Sequence, residues 1–301
     1  MTIQTDAPTR KRVKRWRQRN LGFFMVLPAA LVLLAVGIFP LIYSIGISFL
    51  RWEAKIPGRP FVWFENYASI LSNMEFWHSL KITAILVGIA VSIEFCIGLW
   101  LAVLVLNSGH AKRIFMPIFM LPVMMVPVVV GFTWRMLWDP LYGPINQILG
   151  WLVGHQVTIS WLTNASTALP AILVTEVWQW TPFMFLVLLA GLSAVNPELQ
   201  EAAAIDGASE WKTFWAVTLP VIRPVVLVAI LFRVIDVIKI FDIVYVTTGG
   251  GPGYATQPVT YYLYRTGARF FRMGYTAAGS WVLLILVACL VAYLVHRVGE
   301  D

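Results

Sequence analysis

The chain has 301 residues, of which 59% are hydrophobic and only 12% are charged, and it carries a net charge of +7. A soluble domain is about half apolar and about one quarter charged, so this composition excludes an ordinary soluble protein and indicates an integral membrane protein. The net charge does not indicate a nucleic-acid partner, because seven cations belong to one N-terminal tail beside a membrane helix, where lipid headgroups are the expected partner.

Six apolar stretches are long enough to cross about 30 Å of hydrocarbon as helices. Their continuous runs of Leu, Val, Ile and Ala favour helices over barrel strands, which would alternate in polarity. We therefore predict an all-α membrane domain over residues 21–298, with spans at about Leu21–Leu50, Ile82–Leu106, Ile114–Leu137, Ala168–Leu192, Val221–Val246 and Ala277–Val298.

The distribution of Lys and Arg predicts the orientation of these spans. Residues 1–20 and the loops on the same side hold twelve of these cations, against seven on the other side. The positive-inside rule thus places the basic tail 1–20, the segment 196–220 and the C-terminal residues 299–301 in the cytoplasm. We expect a multi-pass protein of the plasma membrane with both termini inside.

Polar side chains inside the second and fourth spans are candidates to line a pathway. Glu94 lies in the second span, where it could either face a pathway or pair with a cation. Gln179 and Trp180 lie in the fourth span, beside Pro182. An aromatic ring next to an amide suits a sugar, since the ring stacks on its C–H face and the amide bonds its hydroxyls. Tryptophan inside a helix serves packing more often, so both interpretations stay open.

Residues 196–220, between the fourth and fifth spans, are unusually rich in charge. Asn196-Pro197-Glu198 is typical of a helix start: a capping side chain, a proline at the first position and an acid near the positive end of the dipole. Gly207 allows a sharp turn, and Ser209 or Asp206 could cap a second helix. The segment therefore predicts a helix–turn–helix at the membrane surface, which either anchors to headgroups or contacts a cytoplasmic partner.

The fifth span contains four charges of alternating sign, Arg233, Asp236, Lys239 and Asp242. Each would cost about 2.5–3.5 kcal/mol if it faced lipid, so they must face protein, water or one another. One interpretation is two intrahelical pairs, Arg233–Asp236 and Lys239–Asp242. The other is that one or two of the charges line a solvated cavity and contact sugar hydroxyls. A continuous helix would spread the four over half its circumference, so not all could line one pore.

Catalytic and metal-binding motifs are missing from the sequence. It contains no Gly-x-x-x-x-Gly-Lys-Ser/Thr, and therefore no Walker A loop. The four histidines are scattered singly, and none has a second ligand at helical spacing. We expect no catalytic residue, no metal site and no cofactor on this chain, which favours a membrane pathway over an enzyme.

Four segments resemble one family of membrane proteins. Glu201-Ala202-Ala203, Gly207 after three intervening residues, and Leu219-Pro220 resemble the EAA loop of permease subunits in bacterial ATP-binding-cassette (ABC) importers. Three further segments are similar to the branch of permeases for sugars, polyols and glycerol phosphate: Phe64-Glu65-Asn66-Tyr67, Gly143-Pro144-Ile145-Asn146 and Phe241–Pro252. The resemblance covers about residues 60–255.

This resemblance implies a six-helix type I importer permease fold with a cytoplasmic coupling helix that docks on the ATPase subunit. The residues that match the docking segment are Glu201, Ala202, Ala203, Asp206, Gly207, Ala208 and Trp211. The external loops are short, so the large periplasmic insertion of one maltose-type permease is absent.

The resemblance also implies a set of partners in the bacterial inner membrane. They are a second homologous permease chain, two ATP-binding subunits that hold the ATP and Mg, and a periplasmic or lipid-anchored solute-binding protein. The chain would then be the channel-forming subunit of a binding-protein-dependent importer for a sugar or related polyol. An ion-coupled secondary transporter is the alternative, because a charge such as Asp236 could carry a proton.

Overall fold

A computed structural model describes residue 23, residues 25–106, residue 108 and residues 115–299, with side chains through residue 296. The basic tail expected over residues 1–20, and residues 300–301, lie outside the described residues. Apart from turns and loops, the described part of the chain is helical, with two isolated β-bridges that join Leu50 to Phe61 and Glu53 to Arg272.

The helices follow one another along the chain in an all-α arrangement. They are α1 (Met25–Ser48), α2 (Glu65–Leu71), α3 (Met74–Leu106), α4 (Leu121–Met124), α5 (Pro127–Leu137), α6 (Pro144–Val153), α7 (Ala165–Ser193), α8 (Pro197–Ile205), α9 (Glu210–Thr213), α10 (Arg223–Ile238), α11 (Asp242–Thr247), α12 (Val259–Tyr264) and α13 (Met273–Gly299). π-Helical segments lie inside α1 (Leu33–Ile38) and directly after α9 (Phe214–Thr218) and α12 (Arg265–Arg269). Residues 115–119 before α4 and the short turn Leu219–Val221 before α10 are also helical.

Four of these helices, α1, α3, α7 and α13, are long and apolar enough to cross a membrane. The third and fifth expected spans are not continuous helices, so that part of the prediction is wrong. In the third, Met125 and Val126 are extended before Pro127 opens α5, because a proline disfavours helical geometry in the residue that precedes it. In the fifth, α10 ends at Ile238 and the chain resumes helical geometry only at Asp242.

The centre of the bundle is the contact between α3 and α7, on which α10 also packs. Apolar side chains such as Leu86, Phe185 and Leu188 are fully or almost fully buried there. A side chain on Gly98 would place its Cβ 2.9 Å from the backbone nitrogen of Phe185, so α3 and α7 approach more closely than any larger residue would permit.

Two of the family-like segments hold loops in place. The buried Asn66 Nδ2 donates to the carbonyls of Ser48 (2.8 Å) and Leu50 (2.9 Å), which fixes α2 to the end of α1. Asn146 in α6 donates to the Ile159 carbonyl at 3.0 Å and accepts from the Trp161 indole at 2.8 Å. These asparagines satisfy carbonyls at a helix end and in loops that have no helical partner, so both motifs have a structural role.

Candidate functional site

Four charged side chains, here called the charged cluster, meet where α3, α7 and α10 pack together: Glu94, Glu176, Arg233 and Asp236. Arg233 binds Glu94 with two parallel hydrogen bonds, Nε to Oε2 at 2.7 Å and Nη2 to Oε1 at 2.9 Å. Its Nη2 also donates to Glu176 Oε1 at 2.9 Å, and its Nη1 to Asp236 Oδ2 at 2.7 Å. One guanidinium therefore joins three helices through charge-assisted hydrogen bonds.

The inner part of the charged cluster is buried, whereas its outer edge is exposed. The side chains of Arg233, Glu94 and Glu176 are 1%, 0% and 4% exposed, whereas that of Asp236 is 40% exposed. The Trp180 ring lies against the guanidinium, with Cζ 4.6 Å from the ring centroid. Buried charges are tolerated only when they are paired and hydrogen-bonded, and the fork of Arg233 meets that condition for both glutamates.

Because α10 ends at Ile238, the charged side chains after Asp236 do not lie on one continuous helix. Lys239 caps the helix, and Phe241 leaves helical geometry with φ −143° and ψ −57°. The expected Lys239–Asp242 pair is therefore wrong, because its i, i+3 spacing required a helix that does not continue. Lys239 Nζ instead lies 3.7 Å from Asp236 Oδ1. The other expected pair, Arg233–Asp236, is present.

A cavity of about 120 Å³, here called the central cavity, opens beside the outer edge of the charged cluster. The break after α10 brings Asp242 back to it, so three of the four charges expected in the fifth span reach one cavity. Its lining includes Glu176, Trp180, Asp236, Lys239, Phe241 and Asp242.

The other candidates are placed differently. Gln179 is buried away from the central cavity, and its Nε2 donates to the Met125 carbonyl at 3.2 Å, where the chain breaks before α5. Glu94 and Arg233 lie behind the cavity wall, in the charged cluster. Glu176 is the one member of the charged cluster that our sequence reasoning missed. It is an acid inside an apolar span, which is the same signal that identified Glu94.

The segment 196–220 forms the predicted helix–turn–helix. The Asn196 side chain accepts from the Glu198 N–H at 3.1 Å and opens α8, and Ser209 Oγ accepts from the Lys212 N–H at 3.4 Å and opens α9. Gly207 has φ +76°, the left-handed conformation that closes many helices. The N–H groups of Gly207 and Ala208 each donate at 3.0 Å to carbonyls in the last turn of α8, which makes a Schellman motif.

The turn presents an apolar tip within a charged surface. Ile205 is 87% exposed and Trp211 is 73% exposed, close to the exposed acids Glu201 and Asp206. Ala202 is also exposed, whereas Ala203 and Ala208 are half-buried. Sequence reasoning missed Ile205, although an apolar residue just before a capping glycine on a surface helix is a readable signal.

The family of the chain follows from residues 94–300, which match the model described as "Binding-protein-dependent transport system inner membrane component". The chain belongs to this family. It is thus the permease subunit of an ABC importer in the inner membrane, a translocation subunit rather than an enzyme. The resemblance inferred from the EAA-like segment and the three further motifs is confirmed.

Individual relatives agree with this assignment. The chain is 35% identical to the "Trehalose/maltose transport system permease protein MalF" of Thermococcus litoralis, covering 93% of each protein. It is 34% identical to the "Trehalose transport system permease protein SugA" of Mycobacterium tuberculosis, covering 91% of this chain and 86% of that protein. A solved bacterial transporter of the acidic polysaccharide alginate has the same fold, with a TM-score of 0.80 at 23% identity and coverage of 95% of this chain and 98% of that one.

Proposed function

We propose that the chain forms one half of the channel of an ATP-driven importer for an uncharged sugar or polyol, and that the central cavity lies on the solute's route. The observation that carries the proposal is that Trp180, Asp236, Lys239 and Asp242 converge on one cavity inside an apolar bundle. Charged groups there are unfavourable unless they meet water, partners or a polar solute.

The chemistry of the cavity favours a neutral polyhydroxylated solute. Three carboxylates line it, those of Glu176, Asp236 and Asp242, against the single ammonium of Lys239. Carboxylates accept hydrogen bonds from hydroxyls and repel an anion, and the ring of Trp180 offers a face for stacking. The relatives named for trehalose and maltose support the same solute class. We propose that Gln179, Glu94 and Arg233 hold the wall of the central cavity in position.

A second chain would complete the route. The central cavity, at about 120 Å³, is smaller than the roughly 300–1,000 Å³ of ordinary ligand pockets. We infer a dimer with a second homologous permease, in which the facing bundle supplies the rest of the site. In this arrangement the third and fifth spans cross the membrane as broken helices, which gives six spans with both termini in the cytoplasm. Irregular backbone at that depth is tolerated where it is buried or lines a cavity.

The helix–turn–helix is the proposed coupling element. Its exposed tip, Ile205 and Trp211 beside Glu201 and Asp206, has the composition of a small docking knob for a cytoplasmic ATPase subunit. The half-buried Ala203 and Ala208, together with the turn at Gly207, set its angle. Closure of two ATPase subunits would move this knob and, through packed helices, change which side of the membrane the cavity faces. A solute-binding protein would deliver the solute from outside.

The proposal is tested on the complex that co-purifies with this chain through an affinity tag, reconstituted with its binding protein in proteoliposomes. We expect ATP-dependent uptake of labelled trehalose or maltose, which the double variant Glu201→Ala, Gly207→Pro abolishes although the membrane complex still forms. Asp236→Asn should lower the uptake rate, whereas Lys81→Gln, on the exposed surface of α3, should not. Uptake that follows a proton or sodium gradient without ATP would show the ion-coupled alternative to be right.

A further inference from the structure

Four aromatic rings from two separate segments pack together beside the central cavity. We call Phe241, Tyr245, Tyr261 and Tyr264 the aromatic patch. Phe241 lies 4.9 Å from Tyr264 and 5.4 Å from Tyr245, measured between ring centroids, and Tyr245 lies 5.7 Å from Tyr264 with its ring perpendicular. Phe241 also lines the cavity, so the patch begins where the cavity ends.

The glycine-rich turn of the family-like segment Phe241–Pro252 holds the base of the patch. Gly250 has φ +81°, and a Cβ there would lie 3.0 Å from two atoms of the Tyr261 ring. The missing side chain lets Tyr261 lie flat against the turn, where it is fully buried. Tyr245, in contrast, is 42% exposed. The turn thus supports the buried ring of Tyr261, and Tyr261 supports the exposed ring of Tyr245.

The exposed ring of Tyr245 does not face lipid. Lys239 and Asp242 line the central cavity together with Phe241. The exposed Arg269 places its guanidinium carbon 6.0 Å from the Tyr245 ring centroid. Charged side chains are unfavourable in contact with hydrocarbon. This face therefore meets water, a solute or another protein chain.

The aromatic patch lies on the side of the charged cluster away from the helix–turn–helix. α10 runs about 24 Å from the end of segment 196–220 to the break at Lys239, at 1.5 Å per residue. α12 is fixed to the first half of α3, where the Val259 N–H donates to Thr83 Oγ1 at 2.9 Å. Thr83 precedes Glu94 by eleven residues, about 16 Å along α3, so α12 begins on the side of Glu94 that faces the predicted external surface.

We propose that Tyr245 is a stacking site for a sugar ring at the outer mouth of the central cavity, with Phe241 and Tyr264 holding it in position. This inference rests on the proposed function, which makes a sugar the solute. The flat face of a pyranose packs its C–H groups on an aromatic ring, and the guanidinium of Arg269 can donate to its hydroxyls. A solute released outside would meet Tyr245 first and Trp180 next, with Phe241 between them.

The test measures binding directly, because uptake by an importer of this kind also reports the binding protein. Saturation-transfer NMR of trehalose and of maltose with the purified transporter complex, without binding protein and without ATP, detects weak binding. We expect Tyr245→Leu to weaken the apparent affinity about three- to tenfold, the range that one aromatic contact supplies, and Tyr245→Phe to leave it near wild type. The matched control is Tyr142→Leu, at an exposed tyrosine of the loop before α6.

The outcomes separate this inference from the proposed function. Affinity unchanged in Tyr245→Leu, or reduced equally in Tyr245→Phe, would overturn the stacking role even if ATP-driven uptake is intact. Tyr245-dependent binding without any ATP-driven uptake would instead support the stacking site and overturn the importer function as proposed. If Tyr245→Leu lowers the yield of the complex, Tyr245→Trp keeps a ring in place and must retain wild-type affinity for the inference to stand.

Discussion

Replacing Gly207 by Ala tests whether the turn of the helix–turn–helix must hold its angle for the ATPase subunit to dock. Gly207 has φ +76°, and nothing lies within 4 Å of the position that a Cβ would occupy. The substitution therefore causes no clash, and its whole cost is the left-handed conformation, about 1–2 kcal/mol for a residue with a side chain. If the turn relaxes to relieve this strain, the docking-competent geometry becomes about 5–30 times less populated.

The chain contains a matched control in Gly154, at the end of α6. It has the same φ of +76° and the same open surroundings, so Gly154→Ala carries the same backbone cost at a site with no proposed coupling role. We expect Gly207→Ala to weaken ATPase binding to the solubilised permease by a factor in this range, and to lower solute-stimulated ATP hydrolysis with it. Gly154→Ala should leave both quantities unchanged.

Two results would contradict this reasoning. Equal losses in both variants would mean that strain destabilises the permease as a whole, without a specific effect on coupling. Wild-type ATPase binding in Gly207→Ala, with the variant folded and inserted, would mean that the turn does not set the docking geometry. Both quantities can be measured on one preparation by surface immobilisation of the permease complex and titration of the purified ATPase.

Three further predictions concern stability. Arg233→Gln removes the cation between two buried glutamates, so the thermal midpoint of the solubilised complex should fall by the equivalent of about 3–5 kcal/mol, and adding Glu94→Gln should recover part of the loss. Gly98→Ala should lower the same midpoint because its methyl group would meet the α7 backbone at 2.9 Å, whereas Gly88→Ala, with nothing within 4 Å, should not. Two backbone N–H groups in the following turn hold the pKa of Asp139 below its ordinary value, so its contribution to stability is complete above about pH 4 and is lost as pH falls through the lowered pKa. A thermal midpoint measured against pH should therefore be flatter in Asp139→Asn.

The helix–turn–helix could be predicted from sequence because every signal that forms it is local. Asn196 and Ser209 cap helices that begin at the next residue, and Gly207 closes the first helix by its own backbone conformation. None of these features depends on a distant part of the chain. The exposure of Ile205 could have been predicted from the same local pattern, by asking which face of α8 lacks a packing partner.

The charged cluster could be predicted only in part, because its pairs join separate helices. Spacing along one helix gave the Arg233–Asp236 pair correctly, but it also gave Lys239–Asp242, since it assumed a helix that ends at Ile238 in the structure. No local sequence signal predicts that α10 ends there, because neither Gly nor Pro lies between Ile238 and Asp242. The partners of Arg233 across the bundle, Glu94 and Glu176, depend on how three spans pack.

The two interpretations of the charges in the fifth span, mutual neutralisation and lining of a cavity, are reconciled by burial. Arg233 donates twice to Glu94, which is fully buried, and once to Glu176 at the cavity wall, so this inner half of the charged cluster fastens helices together. Asp236 uses one oxygen for Arg233 and has the other near the exposed Lys239, beside the cavity. We infer that substitutions in the inner half act on assembly, whereas those at Asp236 and Lys239 act on the solute. The guanidinium of Arg233 joins the two roles, because it donates to Glu94 and Glu176 on the buried side and to Asp236 on the exposed side.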